Sequence, residues 1–67
     1  MLTSISAAVV RTDDGIDIVN VIRRVKRNGK IIQEFCRYSG LAARRVIAAI
    51  SSQDGAYSTG SGYRVDF

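Results

Sequence analysis

Histidine and proline are absent from this sequence of 67 residues, and cysteine occurs once, at Cys36. One thiol cannot form an internal disulfide, and a Cys/His zinc site cannot be assembled without histidine. A chain this short buries only about 60% of the surface that its unfolded form exposes, so its stability is marginal. Small domains are commonly stabilised by disulfides, metal ions or self-association, and of these the sequence leaves only self-association open. Cys36 stands in an apolar stretch and is predicted to be a small core residue.

Long apolar runs are also absent. The first ten residues lack both the basic start and the run of about 7–15 apolar residues that a signal peptide requires. No segment approaches the roughly 18 apolar residues of a membrane span. A lone thiol is also typical of a reducing compartment. We therefore expect a soluble protein of the cytoplasm.

Acidic residues are fewer than basic ones. Ten Lys and Arg side chains stand against six Asp and Glu side chains, so the net charge is +4 and the isoelectric point is near 9.8. Eight of the ten cations are arginines, whose rigid fork of donors suits phosphate. The excess charge favours a nucleic-acid partner, and the alternative is a charge that serves solubility alone.

Features of an enzyme are lacking. The chain has no histidine, no glycine-rich phosphate loop and no spaced pair of carboxylates that would indicate acid-base catalysis. We expect no catalytic activity, no cofactor, no metal ion and no small-molecule substrate.

The N-terminal segment, residues 1–12, has an ambiguous pattern. Leu2, Ile5 and Val9 are spaced as on a helix, whereas Ile5, Val9 and Val10 also suit a strand. We interpret this segment as a packing arm.

Two helices are predicted next, over residues 14–28 and 30–38. Aspartates open the first as caps, and Asn28-Gly29 is interpreted as its stop. The β-branched residues of its first half leave a strand as the alternative there. The apolar residues of the two segments recur at helical spacing; they are Ile18, Val21, Ile22 and Val25 in the first segment and Ile31, Ile32, Phe35 and Cys36 in the second.

A third helix is predicted over residues 41–52, where alanines with high helix propensity separate the apolar residues. Residues 56–67 change to a hairpin pattern, because Tyr63, Val65 and Phe67 alternate with charged residues after a glycine-rich tip. These three side chains share one face and are expected to pack on the sheet.

Residues 35–46, Phe-Cys-Arg-Tyr-Ser-Gly-Leu-Ala-Ala-Arg-Arg-Val, resemble the helix-turn-helix segment of bacterial transcription regulators. Cys36 matches the small residue at the helix crossing, Gly40 the turn glycine, and Val46 the inward anchor of the second helix. Ser39 departs from the apolar residue often found before that glycine. Together with the preceding helix and the following hairpin, the layout over residues 14–67 is similar to the winged-helix superfamily.

The resemblance implies a mainly helical α+β fold, a single three-helix winged helix-turn-helix domain with a C-terminal β-hairpin wing. It further implies sequence-specific binding of double-stranded DNA, with the third helix in the major groove and the wing on the backbone. A small transcriptional regulator, a phage-type repressor or an architectural protein would fit, in the cytoplasm of a bacterial or phage-infected cell and as a homodimer. The expected DNA contacts are Ala42, Ala43, Arg44, Arg45, Ala48, Arg37, Lys30, Thr59 and Arg64.

A second interpretation retains the winged-helix fold but assigns it no DNA binding. In it the chain is a protein-protein interaction module or accessory subunit, which docks a partner through the alanine-rich helix or the hairpin edge. Salt separates the two interpretations, because phosphate binding releases counterions and apolar docking does not.

Overall fold

The computed structural model describes all residues from Met1 to Phe67. It contains one antiparallel sheet of five strands and a single helix. The strands lie in the order β3-β2-β1-β5-β4. The elements are β1 (Leu2–Arg11), β2 (Asp17–Arg27), β3 (Lys30–Ser39), α1 (Gly40–Ser51), β4 (Tyr57–Ser58) and β5 (Gly62–Asp66).

The predicted three-helix winged helix-turn-helix is wrong. Residues expected to form the first two helices form instead two long neighbouring strands, β2 and β3, which pair over ten residue positions. β-branched side chains dominate β2, and such residues pack well on a pleated surface. Gly40 does mark a sharp corner, with φ of +62°, but it joins a strand to a helix rather than two helices.

The turn between β2 and β3 explains part of this difference. Asn28 and Gly29 have φ values of +52° and +77°, and they lie between the paired residues Arg27 and Lys30. Two consecutive positive φ values over a two-residue loop define a type I′ turn, for which Asn-Gly is a preferred sequence. Asn28-Gly29, interpreted from the sequence as a helix stop, is therefore the turn of the β2-β3 hairpin.

The predicted N-terminal arm is the central strand. β1 pairs with β2 on one side and with β5 on the other, and its register shifts once between Leu2 and Ser4. β5 also pairs with the short β4. Residues Leu2–Arg11, predicted as part of a packing arm, therefore lie in the middle of the sheet.

The core lies between α1 and one face of the sheet. α1 begins at Gly40 and is the segment that follows β3, in the region where the sequence predicts a third helix. Ala43 and Ile50 of the helix are buried against sheet residues. Those sheet residues are Ala7, Val19, Val21 and Val65. Cys36, predicted to lie in the core, is exposed.

α1 covers only part of an elongated sheet. The molecule measures 43 × 21 × 20 Å, whereas a helix of 12 residues is about 18 Å long. No helix of the chain is long and apolar enough to cross a lipid bilayer.

Candidate functional site

The two faces of the sheet differ in what covers them. Successive side chains of a strand point to opposite faces, and paired residues share a face. The face that includes Val19, Val21 and Val65 packs on α1. No helix or strand packs on the other, which we call the open face. It carries the even-numbered residues of β1 from Ser4, of β2 and of β5, the odd-numbered residues of β3, and Tyr57 of β4.

Two exposed aromatic side chains mark the ends of one row on the open face. Phe35 of β3 is 61% exposed and Tyr57 of β4 is 47% exposed. The pairing places Ile22, Ser6 and Arg64 between them, one on each intervening strand. Four strand spacings of about 4.8 Å separate the two rings by roughly 19 Å.

Small side chains occupy the centre of the open face. Ser4, Ser6 and Ala8 follow one another along β1, and Gly62 lies opposite Ala8 on β5. Larger residues of β2 and β3 border them on one side. The centre of the open face is therefore occupied by small side chains, of which Ser4 is buried by its neighbours.

The open face holds most of the net charge. It carries four cations against one carboxylate, and the remainder of the chain carries six against five. Arg24, Lys26 and Arg37 have no carboxylate within 4.0 Å. The Arg37 Nε donates a hydrogen bond to Asn20 Oδ1 at 3.0 Å, which orients the guanidinium while its other nitrogens remain free.

The fourth cation of the open face, Arg64, is neutralised by an ion pair with Asp66. Arg64 Nε donates to one oxygen of Asp66 at 2.9 Å, and the hydroxyl of Tyr57 donates to the other at 3.0 Å. These bonds lower the pKa of Asp66 and raise the pKa of both partners. Asp66 therefore stays ionised, Tyr57 stays a neutral phenol, and the aromatic ring is fixed at the edge of the face.

The cations at the hairpin end of the other face are mostly paired. Glu34 lies 3.7 Å from both Arg23 and Arg27. These pairs are solvent-exposed, and such pairs contribute little to stability. They do reduce the positive potential there relative to the open face.

The DNA contacts expected from the sequence do not form one surface. Ala43 is fully buried in the core, so its side chain cannot contact a ligand. Ala42, Arg45 and Ala48 are exposed on α1. Lys30 shares the face of the sheet that α1 covers in part, and Thr59 lies in the turn before β5. Only Arg37 and Arg64 lie together on the open face.

Arg44 borders a cavity between α1 and the sheet. The cavity has a volume of about 250 Å³ and is lined mainly by apolar side chains, together with Asp17. Asp17 accepts a hydrogen bond from Arg11 Nε at 2.9 Å. That bond, and the positive charges of Arg11 and Arg44, lower the pKa of Asp17. Asp17 and Arg44 thus border an otherwise apolar space.

Sequence reasoning missed Arg24, Lys26 and Phe35 as candidate site residues. Arg24 and Lys26 fall in the predicted first helix, where a solvated side is favoured over the alternative of a second phosphate-facing patch. Phe35 is predicted as an inward apolar residue of the second helix. The signal that could have found them is alternation along a strand, because every second residue from Ile18 to Lys26 lies on the open face. No group of three or more His, Cys, Asp or Glu side chains is gathered anywhere in the chain.

Comparisons with protein-family models, with curated proteins and with solved structures give no match to this chain. Its function must therefore be inferred from the surface that the fold builds.

Proposed function

We propose that this protein binds single-stranded nucleic acid on the open face of its sheet. The observation that carries the proposal is the coincidence, on one uncovered face, of three unpaired cations with an exposed aromatic side chain at each end of a row. Proteins that bind single strands combine a positively charged track for the backbone with aromatic rings for the bases.

The cations supply the phosphate contacts. Arg24 and Lys26 follow one another on β2, and Arg37 lies on the neighbouring β3. Because none of them is held by a carboxylate, binding a phosphate breaks no existing ion pair. Each contact releases a counterion from the strand, which makes the affinity depend on salt.

The aromatic residues favour unpaired bases over a duplex. A base can stack on Phe35 or Tyr57 only when its π-face is free, and bases in a duplex are already stacked. The small residues Ser6 and Ala8 leave room between the rings for the sugar-phosphate backbone or for a base lying flat. A broad sheet of five strands also does not enter the major groove, which admits a helix or a two-stranded ribbon.

Helix α1 is a weaker candidate for the contact. Its inward side is fixed by Ala43 and Ile50, which leaves Leu41, Arg45 and Ala48 on the outer side. Arg44 is also exposed, but it borders the cavity and lies about 100° away from Arg45 around the helix. The outer side therefore offers a single arginine, which gives little attraction for phosphate. Arg45 is exposed but lies away from the open face. It therefore serves as the control for substitutions of the open-face arginines.

The test measures the fluorescence anisotropy of labelled single-stranded DNA and RNA, and of a duplex of equal length. We expect the single strands to bind at least about tenfold more tightly than the duplex, since stacking contributes about 1–3 kcal/mol per base. With three phosphate contacts, the affinity should fall about 20-fold between 50 and 200 mM salt. Absent binding at 50 mM salt, or binding that does not respond to salt, contradicts the proposal, because phosphate contacts would then not carry the affinity.

Matched variants locate the contact. Phe35→Ala should weaken binding by at least about fivefold, whereas Leu41→Ala, which removes an equally exposed apolar side chain from α1, should not. Arg24→Gln combined with Arg37→Gln should reduce the salt slope by about 1.4. Arg45→Gln should leave that slope unchanged. If Arg45→Gln has the larger effect, the helix carries the contact and the open face does not.

A further inference from the structure

The outer edge of β3 is long, regular and uncovered. β3 pairs only with β2, and the two strands keep one register over ten positions with no bulge and no proline. Ile31 and Phe35, both on this strand, are 57% and 61% exposed. A long, flat, partly apolar edge presents a row of free backbone groups, which other strands can pair with. The opposite edge of the sheet, β4, is only two residues long.

The hairpin geometry identifies the free groups. Arg27 and Lys30 flank a two-residue turn, so they form a hydrogen-bonded pair, and such pairs recur at every second residue. The even-numbered residues of β3 therefore bond to β2. The N–H and C=O groups of Ile31, Gln33, Phe35 and Arg37 point outward, and no backbone hydrogen bond outside the regular strands and helix reaches them.

We propose that β3 pairs with β3 of a second copy, antiparallel and centred on Phe35, to form a dimer with a continuous sheet of ten strands. A two-fold axis normal to the sheet relates antiparallel strands without exchanging their faces. Phe35 then lies opposite Phe35 of the second copy, and Gln33 lies opposite its Arg37. These residues would exchange about six backbone hydrogen bonds, since each hydrogen-bonded pair exchanges two.

The sequence of β3 favours this register over its neighbours. Centring on Glu34 or on Arg37 would place like charges opposite each other, which is destabilising. Centring on Gln33 or Cys36 pairs only seven residues of the strand, whereas centring on Phe35 pairs the nine residues 31–39. In the favoured register the two Glu34 carboxylates are diagonal neighbours, and each lies 3.7 Å from two arginines of its own chain.

The dimer is closed and complements the open face. Because the other edge is the two-residue β4, pairing ends at two copies rather than continuing into a fibre. Both open faces lie on the same side of the joined sheet, which brings the two Phe35 rings and the two Arg37 cations to its centre. The inference stands on the backbone of β3 and does not require that nucleic acid binds.

A proline at an outward N–H tests the pairing. Gln33→Pro removes a donor that the monomer does not use, so the β2-β3 ladder can remain. Sedimentation equilibrium should give the wild type twice the 7.3 kDa mass of one chain, and Gln33→Pro the mass of one. Gln33→Ala, which keeps the N–H, should remain dimeric. Circular dichroism checks that each variant folds. A wild type that is monomeric at about 100 μM overturns the proposal, because it limits the free energy of pairing to less than about 5.5 kcal/mol.

Disulfide trapping tests the register and remains informative if the proline variant unfolds. In a Cys36→Ser background, Phe35→Cys places two thiols on residues whose Cα atoms are about 5.5 Å apart, within the range for a disulfide. The control Ile31→Cys, in the same background, places them about 26 Å apart. We expect oxidation to yield a covalent dimer of the first variant and not of the second. Equal cross-linking of both, or of neither, contradicts the proposed register.

Discussion

Gly62 gives the sharpest test of how β5 meets the central strand. It lies in β5 opposite Ala8 of β1. A Cβ built at this position would overlap the carbonyl oxygen of Ala7 and would lie 2.9 Å from its carbonyl carbon and 3.2 Å from the Cα of Ala8. All three atoms belong to backbone, which cannot rotate away. Gly62→Ala must therefore move one strand relative to the other by roughly 1 Å, since carbon atoms pack at about 3.5–4.0 Å.

The cost follows from what that movement breaks. A shift of this size weakens about two backbone hydrogen bonds between β1 and its neighbours, among them Val9 N–H to Ser61 C=O at 2.9 Å. Each contributes about 0.5–1.5 kcal/mol, and overpacking adds about 1–3 kcal/mol. We expect a loss of about 2–4 kcal/mol in the free energy of unfolding. For a chain of this length the total is only about 3–10 kcal/mol, so at least about a fifth of it is lost.

Urea denaturation followed by circular dichroism measures this loss, and Gly60 supplies the control. A Cβ at Gly60 meets no atom within 4 Å, so Gly60→Ala makes the same chemical change two residues away without a clash. With a slope near 1 kcal/mol/M, Gly62→Ala should lower the urea midpoint by about 2–4 M, and Gly60→Ala should change it by less than about 1 M. If the two midpoints agree within about 0.5 M, β5 does not approach β1 as described.

The turn and the paired carboxylates give two further predictions. Asn28 lies at a left-handed position, which asparagine tolerates better than alanine because its short polar side chain can form local hydrogen bonds. Asn28→Ala should therefore cost about 1 kcal/mol and lower the melting temperature by about 4–8 °C, whereas Asn28→Gly should not. The pKa values of Asp17 and Asp66 lie below 3.8, chiefly because Arg11 and Arg64 donate hydrogen bonds to them. Their stabilisation is therefore complete above about pH 4 and is lost as the pH falls through the lower folded pKa values. The Asp17→Asn, Asp66→Asn double variant should lose less of its urea midpoint than the wild type between about pH 5 and pH 2; an equal loss would mean that these pairs do not stabilise the fold.

The sequence misled most where two periodicities coincide. From Ile18 to Val25 apolar residues recur at three- and four-residue steps, which predicts a helix, yet nearly every residue in this segment is β-branched or long. Contacts between residues distant in sequence favour the strand, because Val19 and Val21 of β2 pair with β1 residues and pack beneath α1. A single-segment pattern does not contain those contacts. The Asn28-Gly29 dipeptide was the local signal that favoured a hairpin.

The candidate site was still less accessible from the sequence. Arg37 and Arg64, both expected phosphate contacts, do lie on the same face, but they do so as residues of β3 and β5 on opposite sides of the central strands. Which side chains share that face depends on the register of three strand pairings, and a shift of one residue in any of them would exchange the faces. Arg24 and Phe35 become neighbours of the site only after that register is known.

The placement of β1 at the centre of the sheet affects how the protein folds during its synthesis. Ile5 pairs with Val65, a residue 60 positions later, and a ribosome adding about 5–20 residues per second needs roughly 3–12 s to supply it. A chain in which β5 has not yet paired can form the β1-β2-β3 meander, but one side of β1 then has no strand to pair with. That free side of β1 can pair with another chain until β5 occupies it, so misfolding should increase whenever β5 is slow to join the sheet.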